Sequence, residues 1–149
     1  MELETFRIYH STLIEHYQFI EFNLEGIYAA LSGKKLFYGL QDVEKSSLPR
    51  IIKEIRKLEL SNNLVIFTDE EYEKMKRVLQ RRNFWCHNCY IDIVFDIKSG
   101  GPKKANDIKT MISDLNEAEG LSEALFAKKK TSFNHIWDFH SFLLFVLVF

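Results

Sequence analysis

Residues 3–32 read LETFRIYHSTLIEHYQFIEFNLEGIYAALS. Within this stretch Phe6, Tyr9, Leu13, Tyr17, Ile20, Leu24, Ile27 and Leu31 recur at intervals of three or four residues. That spacing puts them on one side of a 3.6-residue helix and predicts a single long amphipathic segment. Further apolar positions at Ile8, Ile14, Phe19, Phe22 and Tyr28 widen the stripe beyond what one neighbouring helix would cover. Ser32-Gly33 followed by Lys34-Lys35 predicts the stop, because glycine accepts the left-handed cap and cations suit the negative helix end.

The same reading extends along the chain. Ser46-Ser47-Leu48-Pro49 predicts a second helix start, with Ile51, Ile52, Ile55 and Leu58 on its inner face and Ser61-Asn62-Asn63 closing it. Thr68-Asp69-Glu70-Glu71 has the form of a capping box for a third helix buried through Tyr72, Met75 and Leu79. Residues 90–97 fit a strand by their β-branched content and a helix by their spacing. A lone strand would have no partner, so helix is expected. Ser99-Gly100-Gly101-Pro102 breaks the chain, and a last helix is expected from about Ala105 to Phe126 on Ile108, Met111, Ile112, Leu115, Ala118 and Leu125. The expected fold is therefore all-α, an up-and-down bundle of four to five helices over residues 1–126, with 127–149 a basic and then apolar tail.

Composition sets outer bounds. The 149 residues suffice for one domain, able to bury roughly 70% of its unfolded surface. Twenty Lys+Arg against 21 Asp+Glu leave the chain nearly neutral, so only local clustering can speak for a nucleic-acid partner. Met1-Glu2-Leu3-Glu4 lacks the apolar run of a secretory signal, which makes the cytosol the expected compartment. Cys86 and Cys89 are too few and too close for a disulfide framework.

Local clustering does occur. Lys74, Lys76, Arg77, Arg81 and Arg82 put five cations within nine positions, directly before Arg82-Asn83-Phe84-Trp85-Cys86-His87. A run of charges usually lies on a solvated helix face. The adjoining arginine and histidine suggest more. RNA cleavage by its own 2′-hydroxyl needs a group that exchanges a proton near neutral pH, and histidine is that group. It also needs a fixed cation where charge builds on the phosphate, which the planar arginine fork supplies. On a regular helix positions 82 and 87 lie about 140° apart, whereas Asn83 and His87 share a face and could pair to fix the imidazole tautomer.

Arg82-Asn83-x-x-x-His87 resembles the signature of the HEPN superfamily, an arginine usually followed by a polar residue such as asparagine, with four to six residues between the arginine and a histidine, here the shortest spacing. As architecture the resemblance covers residues 1–126; as motif it rests on Arg82, Asn83 and His87. It implies a compact helical bundle that dimerises, with both arginines and both histidines lining one cleft, and metal-independent endoribonuclease activity without a cofactor. On that reading Arg82, Asn83 and His87 are catalytic, and Lys74, Lys76, Arg77 and Arg81 bind RNA. The settings it implies are toxin–antitoxin or phage-defence systems, with an antitoxin or regulatory protein as a further partner. Some members carry a tyrosine two residues after the histidine; here Cys89 stands there, and Tyr90 is the nearest tyrosine.

Other readings compete. Cys86-His87-Asn88-Cys89 has no second cysteine pair to complete a zinc site and no βαβ setting for a redox pair, so both cysteines are expected to pack as small apolar residues. His10 and His16 fall on different helix faces and read as ordinary side chains. Asp69, Glu70 and Glu71 read as first-turn carboxylates. Phe84 and Trp85 suit base stacking and core packing equally. For the tail, Lys128-Lys129-Lys130 before the apolar run to Phe149 allows packing on the bundle or a partner, a segment unrelated to the domain, or binding to an anionic membrane surface; the run is too short to span a membrane. The function classes left open are an endoribonuclease, a non-catalytic helical dimer that binds nucleotide, RNA or protein, and a helical interaction subunit.

Overall fold

A computed structural model describes residues 3–89, 93–95, 98 and 104–148. The protein is all-α among these residues. Helix α1 spans Leu3–Leu31, α2 Leu36–Val43, α3 Leu48–Ser61 and α4 Asp69–Asn83; a π-helical turn, Phe84–Asn88, follows α4, and α5 spans Lys104–Val148. Among the described residues no helix is long and apolar enough to cross a membrane. The chain divides into two compact units. Unit 1 is Met1–Ile20 with Asp69–Ser122, and unit 2 is Glu21–Thr68 with Glu123–Phe149.

In unit 1 the expected stripe of α1 is the buried one. Phe6, Leu13, Tyr17 and Ile20 are buried, together with Tyr72, Met75, Val78 and Leu79 of α4 and Met111, Leu115, Ala118 and Leu121 of α5. Ile112, expected inside, is instead 37% exposed. Ile8 and Phe19 are exposed and Ile14 is half-buried, so the extra apolar positions here lie at the margin of the stripe and not in the core. Of the expected helix over 90–97, residues 93–95 are helical, with Ile93 buried and Phe95 exposed. Tyr90 lies outside the described residues.

In unit 2 the chain punctuation works as its residues dictate. Gly33 takes φ 68°, the left-handed cap expected after α1. Helix α3 begins after Ser47 with proline in its first turn. It ends in a Schellman arrangement: Asn63 sits at φ 52°, Asn63 N–H donates to the Leu60 carbonyl and Leu64 N–H to the Glu59 carbonyl. Between these stops lies α2, which the periodicity did not announce. Its Gly39 packs against the α1 backbone, where an added Cβ would stand 2.8 Å from the Ala29 Cα. Ile51, Ile52 and Ile55 are buried as expected, but the next buried position is Glu59, and Leu60 is exposed.

Glu59 explains that inversion. Its Oε1 accepts the Ile66 N–H at 2.7 Å and the Phe67 N–H at 2.8 Å, so the carboxylate closes the loop that enters α4. Lys128 of α5 serves the same loop, donating to the Ile66 carbonyl at 2.6 Å with its ammonium 4.9 Å from the Phe67 ring centre. The Lys129 ammonium lies 4.0 Å from the Phe22 ring centre, and burial holds its pKa below the ordinary lysine value. Helix α5 thus continues beyond Phe126, and the first two lysines of the basic run are side chains of unit 2.

Candidate functional site

Helix α4 is electrically ordered, with Asp69, Glu70 and Glu71 in its first turn and Arg81 and Arg82 in its last, each sign at the end its helix dipole favours. A helix in this position would ordinarily stop. Here it passes into the π-helical turn Phe84–Asn88, in which the Cys89 N–H donates to the Phe84 carbonyl five residues back. One turn therefore holds an extra residue, a feature found disproportionately at functional sites.

Trp85 anchors the turn. Its indole is 1% exposed, and its Nε1–H donates to Asp114 Oδ2 at 2.6 Å. The same oxygen accepts the Arg81 Nε–H at 2.7 Å, and the Asp114 side chain keeps only 10% of its surface. The Arg81 guanidinium also lies 5.1 Å from the Phe84 ring centre, while Phe84 meets Trp85 edge-on at 5.0 Å. Trp85 is thereby committed to the core and unable to stack on a base. Phe84 retains 37% exposure and is the aromatic left for that role.

From α1, the Tyr17 hydroxyl is buried without a hydrogen-bond partner among the described residues. Burial, and then the negative charge of Asp114, push its phenol well above the ordinary value, so Tyr17 stays neutral. The His10 Nε2 lies 3.0 Å from the Trp85 carbonyl.

The expected RNA-binding cations are mostly engaged with carboxylates. Arg81 pairs with Asp114, Arg77 Nη2 lies 3.4 Å from Glu117 Oε1, and Lys76 pairs with Glu73 one turn earlier. Lys74 is half-buried, its ammonium over Gly120. Positive charge that looked clustered in sequence is locally balanced in space.

Arg82 is half-buried, and Asn83 and His87 are exposed. The expected i, i+4 pairing of Asn83 with His87, and the 140° between Arg82 and His87, both assumed a regular helix. In a turn closed five residues back each step rotates by less, so the angle between Arg82 and His87 narrows, while Asn83 and His87, four residues apart, stay near one face.

Cys89 is buried and Cys86 exposed. Cys89 packs as the small apolar residue expected, and its thiol donates to the Trp85 carbonyl at 3.1 Å. Among the described residues no three His, Cys, Asp or Glu side chains gather as metal ligands.

Sequence reasoning missed Asp114, Tyr17 and His10 as members of this site. A signal for each existed. Asp114 falls within the Met111, Leu115, Ala118 stripe of α5, and His10 falls four residues after Phe6 and three before Leu13 on the buried side of α1. Tyr17 lies on that same stripe and carries a hydroxyl into it. A polar group on a core stripe must find a partner, and that requirement alone points to a network. Comparison with family models, with curated proteins and with solved structures finds no match to this chain.

Proposed function

We propose that the protein is a metal-independent endoribonuclease of HEPN type, acting as a homodimer through Arg82 and His87. The observation that carries this reading is the π-helical turn, which presents an exposed His87 at the end of α4 and turns it toward the side of Arg82. In the reaction the 2′-oxygen of RNA attacks the adjacent phosphorus and the bond from phosphorus to the 5′-oxygen breaks. His87 of one copy takes the 2′-hydroxyl proton, and protonated His87 of the second copy delivers a proton to the 5′-oxygen. Arg82 holds the phosphate oxygens as charge accumulates. Products carry 2′,3′-cyclic phosphate and 5′-hydroxyl ends. Such a dimer is a helical bundle of two copies about a two-fold axis, which lines one cleft with both pairs of residues. The toxin and phage-defence settings of the family, with a regulatory antitoxin and a cytosolic location, go with this reading.

A specific observation favours a second reading. Lys76, Arg77 and Arg81 are engaged with Glu73, Glu117 and Asp114, which leaves less charge to hold a polyanion than the sequence promised. A non-catalytic helical dimer that binds nucleotide, RNA or a protein partner fits that balance.

Incubation of the protein with end-labelled mixed-sequence RNA in EDTA separates the two. Cleavage to cyclic-phosphate ends that Arg82→Ala and His87→Ala both abolish is the expected result. Intact RNA after incubation with folded dimer, across several RNA classes, would overturn the nuclease reading and leave the binding one.

A further inference from the structure

The π-helical turn raises an accounting question. In a regular helix the Cys89 N–H would bond the Trp85 carbonyl four residues back; here it bonds Phe84 instead. The Trp85 carbonyl is thereby released from its α-helical donor. Among the described residues it meets His10 Nε2 at 3.0 Å and the Cys89 thiol at 3.1 Å. A carbonyl only accepts, so the His10 proton sits on Nε2. A thiol is a weak donor, which leaves His10 as the main one. The imidazole is itself fixed by Phe6, one turn earlier on α1, whose ring centre lies 5.6 Å away at a tilt of 31°.

We infer that His10 is a positioning residue: by donating to the Trp85 carbonyl it holds the turn in its π form and so sets the direction of His87. Without that donor the Cys89 amide returns to Trp85. The turn then loses its extra residue, and His87 swings away from Arg82 by most of one residue's rotation of about 100°. The hold itself stands on the geometry of α1 and the turn; its consequence for RNA cleavage rests on the function proposed above.

The test compares wild type, His10→Leu, which keeps bulk and removes the donor, and His10→Gln, which restores an N–H near the place of Nε2. Coupling across the hydrogen bond, read by nuclear magnetic resonance, identifies the carbonyl that accepts the Cys89 amide. It should be Phe84 in wild type and His10→Gln, and Trp85 in His10→Leu. RNA cleavage should fall at least about tenfold in kcat in His10→Leu with KM within about threefold, and His10→Gln should recover most of it. A His10→Leu protein that keeps the Phe84 bond and the wild-type kcat would overturn the inference. The imidazole nitrogen spectrum of the wild type decides the same point without substitution, since a proton on Nδ1 and a bare Nε2 would refute the donor. If the wild type cleaves no RNA, the proposed function fails, while the bond measurement still decides whether His10 holds the turn.

Discussion

Both units take a carboxylate out of water, and they satisfy it differently. In unit 2 Glu59 receives two backbone N–H groups from the loop before α4, and the Schellman turn beside it fills the carbonyls at the end of α3. Its polar atoms are spent on closing the chain. In unit 1 Asp114 is held by side chains, Arg81 and Trp85, beside a tyrosine hydroxyl with no partner among the described residues and a helix that departs from α geometry. Buried groups left unsatisfied and π turns are both unusual, and both concentrate at functional sites. The polar network of unit 2 thus closes the chain, while that of unit 1 carries the features of a candidate site.

The largest effect that tests this contrast lies at His87. Replacing it with alanine should lower RNA cleavage by roughly 10²–10⁴-fold, the usual worth of acid–base help. Thermal stability should hardly move, because an exposed side chain contributes within about 0.5 kcal/mol. A melting temperature that falls together with activity would mean that His87 supports the turn and not the chemistry.

Next come the two carboxylates. Glu59→Ala strands the buried Phe67 N–H and the half-buried Ile66 N–H and should cost about 2–4 kcal/mol of stability. Asp114→Ala breaks an ion pair whose arginine keeps about a third of its surface (37%), so its cost should be about 2–3 kcal/mol, below that of a fully buried pair. Denaturant unfolding measures both. The distinguishing readout is kcat measured well below each variant's melting temperature: Glu59→Ala should keep it, and Asp114→Ala should lower it by releasing Trp85 and the turn. Equal kcat in the two would erase the distinction between the units.

Much of the fold was legible in the sequence, and the reasons are local. The α1 stripe from Phe6 to Leu31, the glycine stop at Gly33, the Ser61-Asn62-Asn63 end of α3 and the start of α4 at Asp69 all follow from residue chemistry within one turn. What escaped depends on partners distant in sequence. Helix α2 rests on Gly39 meeting Ala29, and Glu59 goes inside while Leu60 stays out because of a loop that begins after α3 ends. For the candidate site, the composition of Arg82 to His87 was readable but its geometry was not. Counting at 3.6 residues per turn misses the extra residue between Phe84 and Asn88, which is held by His10, 75 residues away from Trp85.

A smaller effect belongs to unit 2. Burial first, and then the charges of Glu21 and Glu44, hold the Glu25 carboxyl above the ordinary carboxylate value. The folded state thus binds this proton more tightly than the unfolded chain does. The stability it contributes is present below the ordinary pKa and is lost as pH rises through the raised one. Glu25→Gln removes the loss, so the variant should melt roughly 1–3 °C above wild type at neutral pH, with the gap closing below about pH 4. A gap of the same size at both pH values would show that packing, not ionisation, separates them.

The smallest effect in stability is the most informative about the contrast. Tyr17→Phe deletes a buried hydroxyl that has lost its water and found no protein partner among the described residues. Removing such a group costs nothing in hydrogen bonding and relieves a desolvation penalty, so stability should stay level or rise by up to about 1 kcal/mol. A polar atom retained against stability fits a site better than a scaffold, because function is where proteins tolerate such strain. Cleavage by Tyr17→Phe should accordingly fall several-fold while the protein melts no earlier. If stability instead drops by more than about 1 kcal/mol, the hydroxyl is satisfied in solution as fully as Glu59 is, and the polar network of unit 1 becomes scaffold like that of unit 2.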